Sequence, residues 1–241
     1  MKNEAGLSVG EDYYRTKISS YMKGYGCGYE FCRFYCAAGS LAGGNIMLLG
    51  ANAVVSGVFT DSRELEEFLI MNAPDSIEIP RSTAARLRLA GYERQTRTLY
   101  RLPVFGDTEL SEFEAGLDDP VSLEEMFMIL NACFDGLSFD GWYTDMSHRV
   151  RHGISQPFTY KSSTCASVDF KGNRNAYISG VATVPAMRGQ GNGTNMLGYI
   201  SRKLKRERIE GFLWADENSS GFYEKLSFPR ADEDDIFIRK R

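Results

Sequence analysis

The chain has little cysteine, no excess of positive charge and no apolar leader. Its five cysteines, Cys27, Cys32, Cys36, Cys133 and Cys165, are few and odd in number for 241 residues, which excludes a secreted disulfide framework. Cys27, Cys32 and Cys36 lie close together but lack the C-x-x-C pairs of structural zinc sites, and Tyr29, Phe31, Phe34 and Tyr35 interleave them. They read as buried structural thiols, and no metal is expected. Lys and Arg number 28 against 32 Asp and Glu, a net charge of −4, so the attraction that marks nucleic-acid binding is missing. The opening residues MKNEAGLSVGEDYY contain no signal-peptide core. Residues 34–60 carry no charge and could cross a bilayer on length alone. Gly39, Gly43, Gly44, Asn45, Gly50, Asn52 and Gly57 interrupt them, which favours strand, turn and strand. The expectation is a cytoplasmic protein with no nucleic-acid or membrane partner.

With 43% hydrophobic and 25% charged residues the composition is that of a globular protein. The length allows one large or two small domains. Residues 107–119 hold six acids and no base, with Gly106, Gly116 and Pro120 around them, which suits an exposed connector. A boundary near residue 115 then gives domains 1–115 and 116–241.

The second half has the clearer pattern. Ser122, Glu124 and Glu125 open an apolar-periodic helix of Met126, Ile129, Leu130 and Cys133. A second helix is expected over 142–152, strands over 157–161, 165–171 and 176–184, and a helix over 189–208 with Met196, Ile200 and Leu204 on one face. A strand over 211–215, a helix over 219–226 and a last strand over 236–238 complete it. The fold class is α/β (α+β), with a mixed sheet. The two halves echo each other: Ser56-Gly57-Val58-Phe59-Thr60 matches Ser179-Gly180-Val181-Ala182-Thr183 at four of five places, and residues 87–94 sit like 223–230. An internal duplication is the reading.

The segment that carries chemistry begins at the strand end Val181-Ala182-Thr183. After Pro185 come Arg188, Gly189, Gln190, Gly191, Asn192, Gly193 and Thr194, opening a helix. Glycine lets an anion approach the backbone, the helix start adds positive potential, and Arg188 adds a formal charge, so the pattern suits a pyrophosphate. A Walker loop is excluded because no Gly-Lys-Ser/Thr occurs. A dinucleotide fingerprint needs G-x-G-x-x-G, whereas the glycines here run G-x-G-x-G.

Arg-Gly-x-Gly-x-Gly after a strand resembles the coenzyme A loop of the GNAT superfamily of N-acetyltransferases. Downstream, Asn218 and the run Phe222-Tyr223-Glu224-Lys225-Leu226-Ser227-Phe228 resemble that family's second signature. The resemblance covers about residues 120–241 and implies a mixed, mostly antiparallel twisted sheet flanked by helices. It implies acetyl-CoA as cosubstrate, with the backbone of Val181, Ala182 and Thr183 pairing with the pantetheine arm. It also implies that the amides from Arg188 through Thr194 hold the pyrophosphate, that Asn218 lies near the pantetheine and that Tyr223 lies beside the sulfur. A neutral amine, small molecule or peptide, attacks the thioester, and Tyr223 protonates the departing thiolate as general acid. Asp169, Asp216, Glu217 or a water chain could take the amine's proton, and no base is assigned. The alternatives are a non-catalytic acyl-CoA-binding or sensing module and, more weakly, a nucleotide-binding domain.

The first half keeps none of this chemistry: Asp61-Ser62-Arg63 follows Thr60 directly, Leu87 aligns with Tyr223 and Ser82 with Asn218. It looks like a degenerate GNAT-like module that walls the acceptor pocket. His148 and His152 share a helix face but lack the Glu of a metalloprotease pair, and read as solvated. The bases over 202–208 complement a helix C-terminus or attract the coenzyme's adenosine phosphate. Residues 232–235, four acids, read as a solvated turn before the final strand that could also attract a cationic amine substrate.

Overall fold

The computed structural model describes residues 9–37, 43–103 and 110–240. The chain forms two compact units. One comprises the residues up to Tyr100, Ala215–Leu226 and the segment from Arg230 onward; the other comprises Arg101–Trp214 and Ser227–Pro229.

The first unit contains α1 (Val9–Tyr25), β1 (Cys32–Cys36), β2 (Asn45–Leu49), β3 (Asn52–Ser56), α2 (Ser62–Asn72), β4 (Ser76–Ile79), α3 (Arg81–Ala84), β5 (Tyr92–Arg101), α8 (Glu217–Lys225) and β10 (Arg230–Arg239). Its strands lie in the order β1-β2-β3-β4-β10-β5. β1, β2 and β3 pair antiparallel, and β3 pairs parallel with β4. β10 is antiparallel to both β4 and β5, so the end of the chain is stitched into the unit built by its beginning. Ile46, Leu48, Val55, Leu65, Leu69, Ile77, Ile79 and Phe237 make its core, each stabilising by ~1.5–3 kcal/mol when removed from water. The uncharged stretch is strand, turn and strand, with the turn at Gly50 and residues 38–42 outside the described ones.

Two expectations are overturned in this unit. Residues 232–235 are not a solvated turn but part of β10, with Asp234 and Asp235 buried. Partners make this possible: Arg94 binds the Asp235 carboxylate, and Tyr14 hydrogen-bonds Asp234. The cysteine cluster is not uniformly buried either. Cys32 is inside, but Cys27, just past α1, and Cys36, at the end of β1, are exposed, and all are free thiols.

The second unit contains α4 (Ser111–Ala115), α5 (Leu123–Asn131), α6 (Phe139–Arg151), β6 (Gln156–Tyr160), β7 (Thr164–Lys171), β8 (Asn175–Thr183), α7 (Asn192–Arg206) and β9 (Glu210–Ala215). Its strand order is β9-β8-β7-β6, antiparallel except for the parallel pair β8 and β9. Ser122 caps α5 by accepting from the Glu125 amide at 3.3 Å. Met126, Ile129 and Leu130 pack with Met146, Cys165 and Ala182. Met196, Ile200 and Leu204 turn the apolar face of α7 inward. The acidic stretch is more than a connector: Phe113 of α4 is buried and stacks on Tyr160 at 4.3 Å. Its residues 104–109 lie outside the described ones. Architecture and fold class agree: mixed α/β, mostly antiparallel, flanked by helices.

Candidate functional site

Strand β8 and the loop leading from it into α7 form the candidate anion-binding part of the second unit. β8 pairs with β9 from Asn175↔Glu210 to Ile178↔Leu213 and no further, although β8 continues to Thr183. Along β7 its register slips between the pairs Ala182↔Cys165 and Ser179↔Ser167, where Gly180 takes φ +60°. The strand therefore parts from β9 over its last residues. Val181 and Thr183 are half-buried and Ala182 is buried there.

Beyond Thr183 the chain makes one 3₁₀ turn, Pro185–Met187, then Arg188 in extended conformation. Gly189 and Gly191 adopt φ +78° and +79°, the left-handed region that other residues enter at a cost of ~1–2 kcal/mol. A Cβ added at either would meet nothing within 4 Å, so the space beside the loop is open. Gly191 is the N-cap of α7, and no side-chain oxygen caps the helix. The first-turn amides of Asn192, Gly193 and Thr194 thus have no intrahelical acceptor and no cap, and they carry the positive end of the helix dipole. Gln190 is exposed at the loop's apex, its amide nitrogen 3.8 Å from Met187 Sδ.

Arg188 does not reach outward. Its Nε donates to the Thr183 carbonyl at 3.1 Å and its Nη2 lies 3.7 Å from Cys133 Sγ, while the Cys133 thiol donates to the same carbonyl at 3.3 Å. Sequence reasoning missed Cys133, which signals nothing beyond the end of an apolar helix face. Nearby Cys165 is buried and its thiol is pushed up to about 12 by burial, so it stays protonated.

Asn218 and Tyr223 lie on α8 in the first unit. Asp216 caps that helix through the Ser219 amide at 2.8 Å, and Asn218 is exposed in its first turn. Tyr223 is buried and stacks on Tyr100 with 5.4 Å between ring centres. Burial first, and the Asp216 charge second, raise its pKa above the usual tyrosine value. Tyr100 donates to Glu224 Oε1 at 3.2 Å, and Arg230 binds the same carboxylate. Tyr100 had no sequence signal, because the chain separates it widely from its ring partner. Of the possible bases, Asp216 serves as this cap, and Asp169 binds Arg149 at 3.1 Å and Ser167 at 2.9 Å.

The remaining candidates have structural surroundings. His148 and His152 stack at 4.3 Å, half-buried and exposed respectively. Arg202 pairs with Glu114 at 2.7 Å. Lys205 and Arg208 line a cavity of about 470 Å³ with Arg101 and Ser201. Among the described residues no group of three or more His, Cys, Asp or Glu could hold a metal ion, and no helix is long and apolar enough to cross a membrane.

Known proteins share this architecture. The sequence over 124–228 matches the Acetyltransferase (GNAT) family. Residues 124–228 form a GNAT domain. The fold of a GCN5-related N-acetyltransferase from Kribbella flavida resembles the chain at TM-score 0.58 and 12% identity, covering 98% of this chain and 97% of that one. A GNAT acetyltransferase from Colwellia psychrerythraea covers 98% of each chain at TM-score 0.53 and 11% identity. A tandem GNAT protein from the clavulanic acid biosynthesis pathway covers 98% of this chain and 89% of its own at TM-score 0.56 and 11% identity. No curated protein matches the sequence. The GNAT fold supports acyl transfer in general, and GNAT proteins act on amine acceptors.

Proposed function

We propose that this protein is an N-acetyltransferase that moves an acetyl group from acetyl-CoA to a primary amine in the cytoplasm. The observation that carries this reading is the uncapped start of α7 behind two left-handed glycines, directly after a strand that leaves its neighbour. The uncapped first turn of α7 and the free space at Gly189 and Gly191 support a place for the cosubstrate's diphosphate on the amides of Gly189 through Thr194, the Arg188 amide being bonded to the Pro185 carbonyl; charge-assisted hydrogen bonds of this kind contribute ~1.5–3 kcal/mol each. Arg188 would leave Thr183 and Cys133 to join them. The freed edge of Val181, Ala182 and Thr183 would pair with an extended polar chain, and Asn218 would add a side-chain contact.

Acetyl-CoA supplies a thioester carbonyl open to attack and a thiol as leaving group. An N–H of the parted strand stabilises negative charge on the carbonyl oxygen. Tyr223, like any tyrosine, is protonated at neutral pH, and burial raises its pKa further, so it would enter the reaction as a donor. The same shift makes it a weak acid, and it gives up the proton only as charge develops on sulfur. Positioning two bound reactants provides most of the remaining acceleration. We further propose that residues 116–241 are the acetyl-CoA-binding module and residues 1–115 a degenerate GNAT-like one.

Thermal unfolding with acetyl-CoA tests the reading. At 100 times its dissociation constant a ligand adds ~2.7 kcal/mol, and for a chain of this size that raises the melting point by roughly 5–10 °C. No shift at millimolar coenzyme rejects the proposal. Tyr223→Phe should lower kcat about 10- to 100-fold with coenzyme affinity kept; lost affinity at unchanged kcat would contradict the donor role.

A further inference from the structure

The bases at the end of α7 lie outside the proposed coenzyme site. α7 has 15 residues, so its last turn is roughly 20 Å from its uncapped start. The adenosine phosphate of the coenzyme sits one ribose away from the diphosphate and does not span that gap. Lys205 and Arg208 instead line, with Arg101 and Glu210, the cavity of about 470 Å³ in the second unit. Leu102, Pro103, Ile209 and Pro229 give it an apolar wall. That wall is tied in place: the Leu102 amide donates to the Gly211 carbonyl at 2.8 Å, and the Ser201 hydroxyl donates to the Pro103 carbonyl at 2.8 Å.

The helix end accounts for only part of this charge. Its carbonyls act together as about half a negative charge. Those of Leu204 and Lys205 already accept from the amides of Ile209 at 2.9 Å and Arg208 at 3.0 Å. Of the three cations, Arg101 lies 3.8 Å from the Glu210 carboxylate, and Lys205 and Arg208 have no ion pair among the described residues. An excess of two positive charges therefore faces the cavity. Arg208 also follows the C-cap of α7 with φ +59°. Glycine is the ordinary residue in that left-handed position, so the guanidinium is held there against the preference of the backbone.

We infer that this cavity binds a phosphate monoester carried on an apolar or aromatic body. The charge excess matches a monoester, which is close to dianionic at neutral pH. The guanidinium forks of Arg101 and Arg208 suit phosphate oxygens, and Lys205 adds a compact charge. The volume is that of a small-molecule site, and the apolar wall is covered only by a ligand with a body as well as a charged head. The cavity uses none of the residues at the start of α7, so it binds its ligand whether or not the proposed transfer reaction occurs.

The test is a ligand-observed NMR titration of the whole chain, free of coenzyme, with phenyl phosphate. It is expected to bind about tenfold more tightly than inorganic phosphate, benzoate or phenol, and more weakly as salt rises. Lys205→Gln should lower the affinity several-fold. Arg208→Gly should lower it about tenfold while the melting temperature holds or rises, because glycine relieves the left-handed backbone. AMP in place of phenyl phosphate separates a nucleotide from a simpler aryl ester, and tighter binding of either supports the site. Inorganic phosphate, benzoate or phenol binding as tightly, or unchanged affinity in either variant, overturns the inference. So does displacement of phenyl phosphate by one equivalent of acetyl-CoA, or failure of both monoesters to bind at millimolar concentration.

Discussion

Helices α2 and α7 start from matching places. Each follows a strand that is antiparallel to the strand before it and parallel to the strand after the helix. Their first turns differ in one respect. The Asp61 carboxylate accepts from the amides of Arg63 at 2.8 Å and Glu64 at 3.2 Å, so α2 carries its own anion. α7 begins at Gly191 with no side-chain cap, and a Cβ added at Gly189 or Gly191 would meet nothing within 4 Å. The same helix-start electrostatics is thus internally satisfied in one unit and left available in the other. Matching topology leaves the two helix starts different: the Asp61 carboxylate takes up the first-turn amides of α2 from an extended N-cap, whereas α7 starts from a left-handed glycine with no side-chain cap.

The sheet faces beneath the helices differ as well. Under α5 the contacts are Met126, Ile129 and Leu130 on Cys165 and Ala182. Under α1 they are partly charged. Tyr13 donates to Glu78 at 2.9 Å, Lys17 binds Glu78 at 2.7 Å, and Arg97 reaches Tyr14 at 3.1 Å. Burial raises the Glu78 carboxyl, but Lys17 and Arg97 outweigh it and hold it at about 2. Asp234 is less well served: burial lifts its carboxyl to about 7 in spite of Tyr14 and Arg97.

These contrasts can be broken experimentally. The largest effect is expected from Gly191→Asp, which gives α7 the anion that α2 already has. Losing about two charge-assisted hydrogen bonds, and gaining like-charge repulsion, should weaken acetyl-CoA binding by more than about 100-fold in titration calorimetry. Retained affinity would show that the helix start is not the anion site.

Next comes Asp234→Asn. The folded carboxyl titrates at about 7 whereas an unfolded one titrates near ~3.9. Below about pH 4 both states are protonated and no stability is lost; between about pH 4 and about pH 7 only the unfolded state ionises, so stability falls across that window and levels off once the folded carboxyl ionises too. The neutral variant should therefore melt higher at about pH 8, by ~2 kcal/mol in denaturant titration, with the gap closing towards about pH 4. A variant less stable than its parent at alkaline pH would remove the buried-acid account. The smallest effect belongs to Asp61→Ala, which should cost ~1 kcal/mol of stability through the lost cap. It should create no coenzyme affinity, because that unit lacks both the glycines and the arginine.

Much of the fold of residues 122–206 was legible in the order of residues alone. Ser122 with Glu125, the four-residue spacing of Met196, Ile200 and Leu204, and the glycines after Arg188 are local signals, and local signals act through backbone geometry and helix periodicity. The start of α7 was placed three residues early, because Gly189 and Gly191 use left-handed conformations that a helical pattern does not reveal. The acids of β10 were misread for a different reason. Four in a row suggest solvent, and only the arrival of Arg94, Arg97 and Tyr14 from distant segments makes their burial tolerable.

The sequence by itself determined the left-handed glycine loop and the uncapped start of α7, where we propose that an anion meets the backbone, since these depend on residues lying next to one another in the chain. Tertiary structure decided what surrounds the other groups: that β10 returns to lie between β4 and β5, that Tyr223 rests on Tyr100, and that Arg188 folds onto Thr183 and Cys133. Those contacts join groups that no short sequence pattern links, and they form only when the apolar faces have closed and fixed the distances between them.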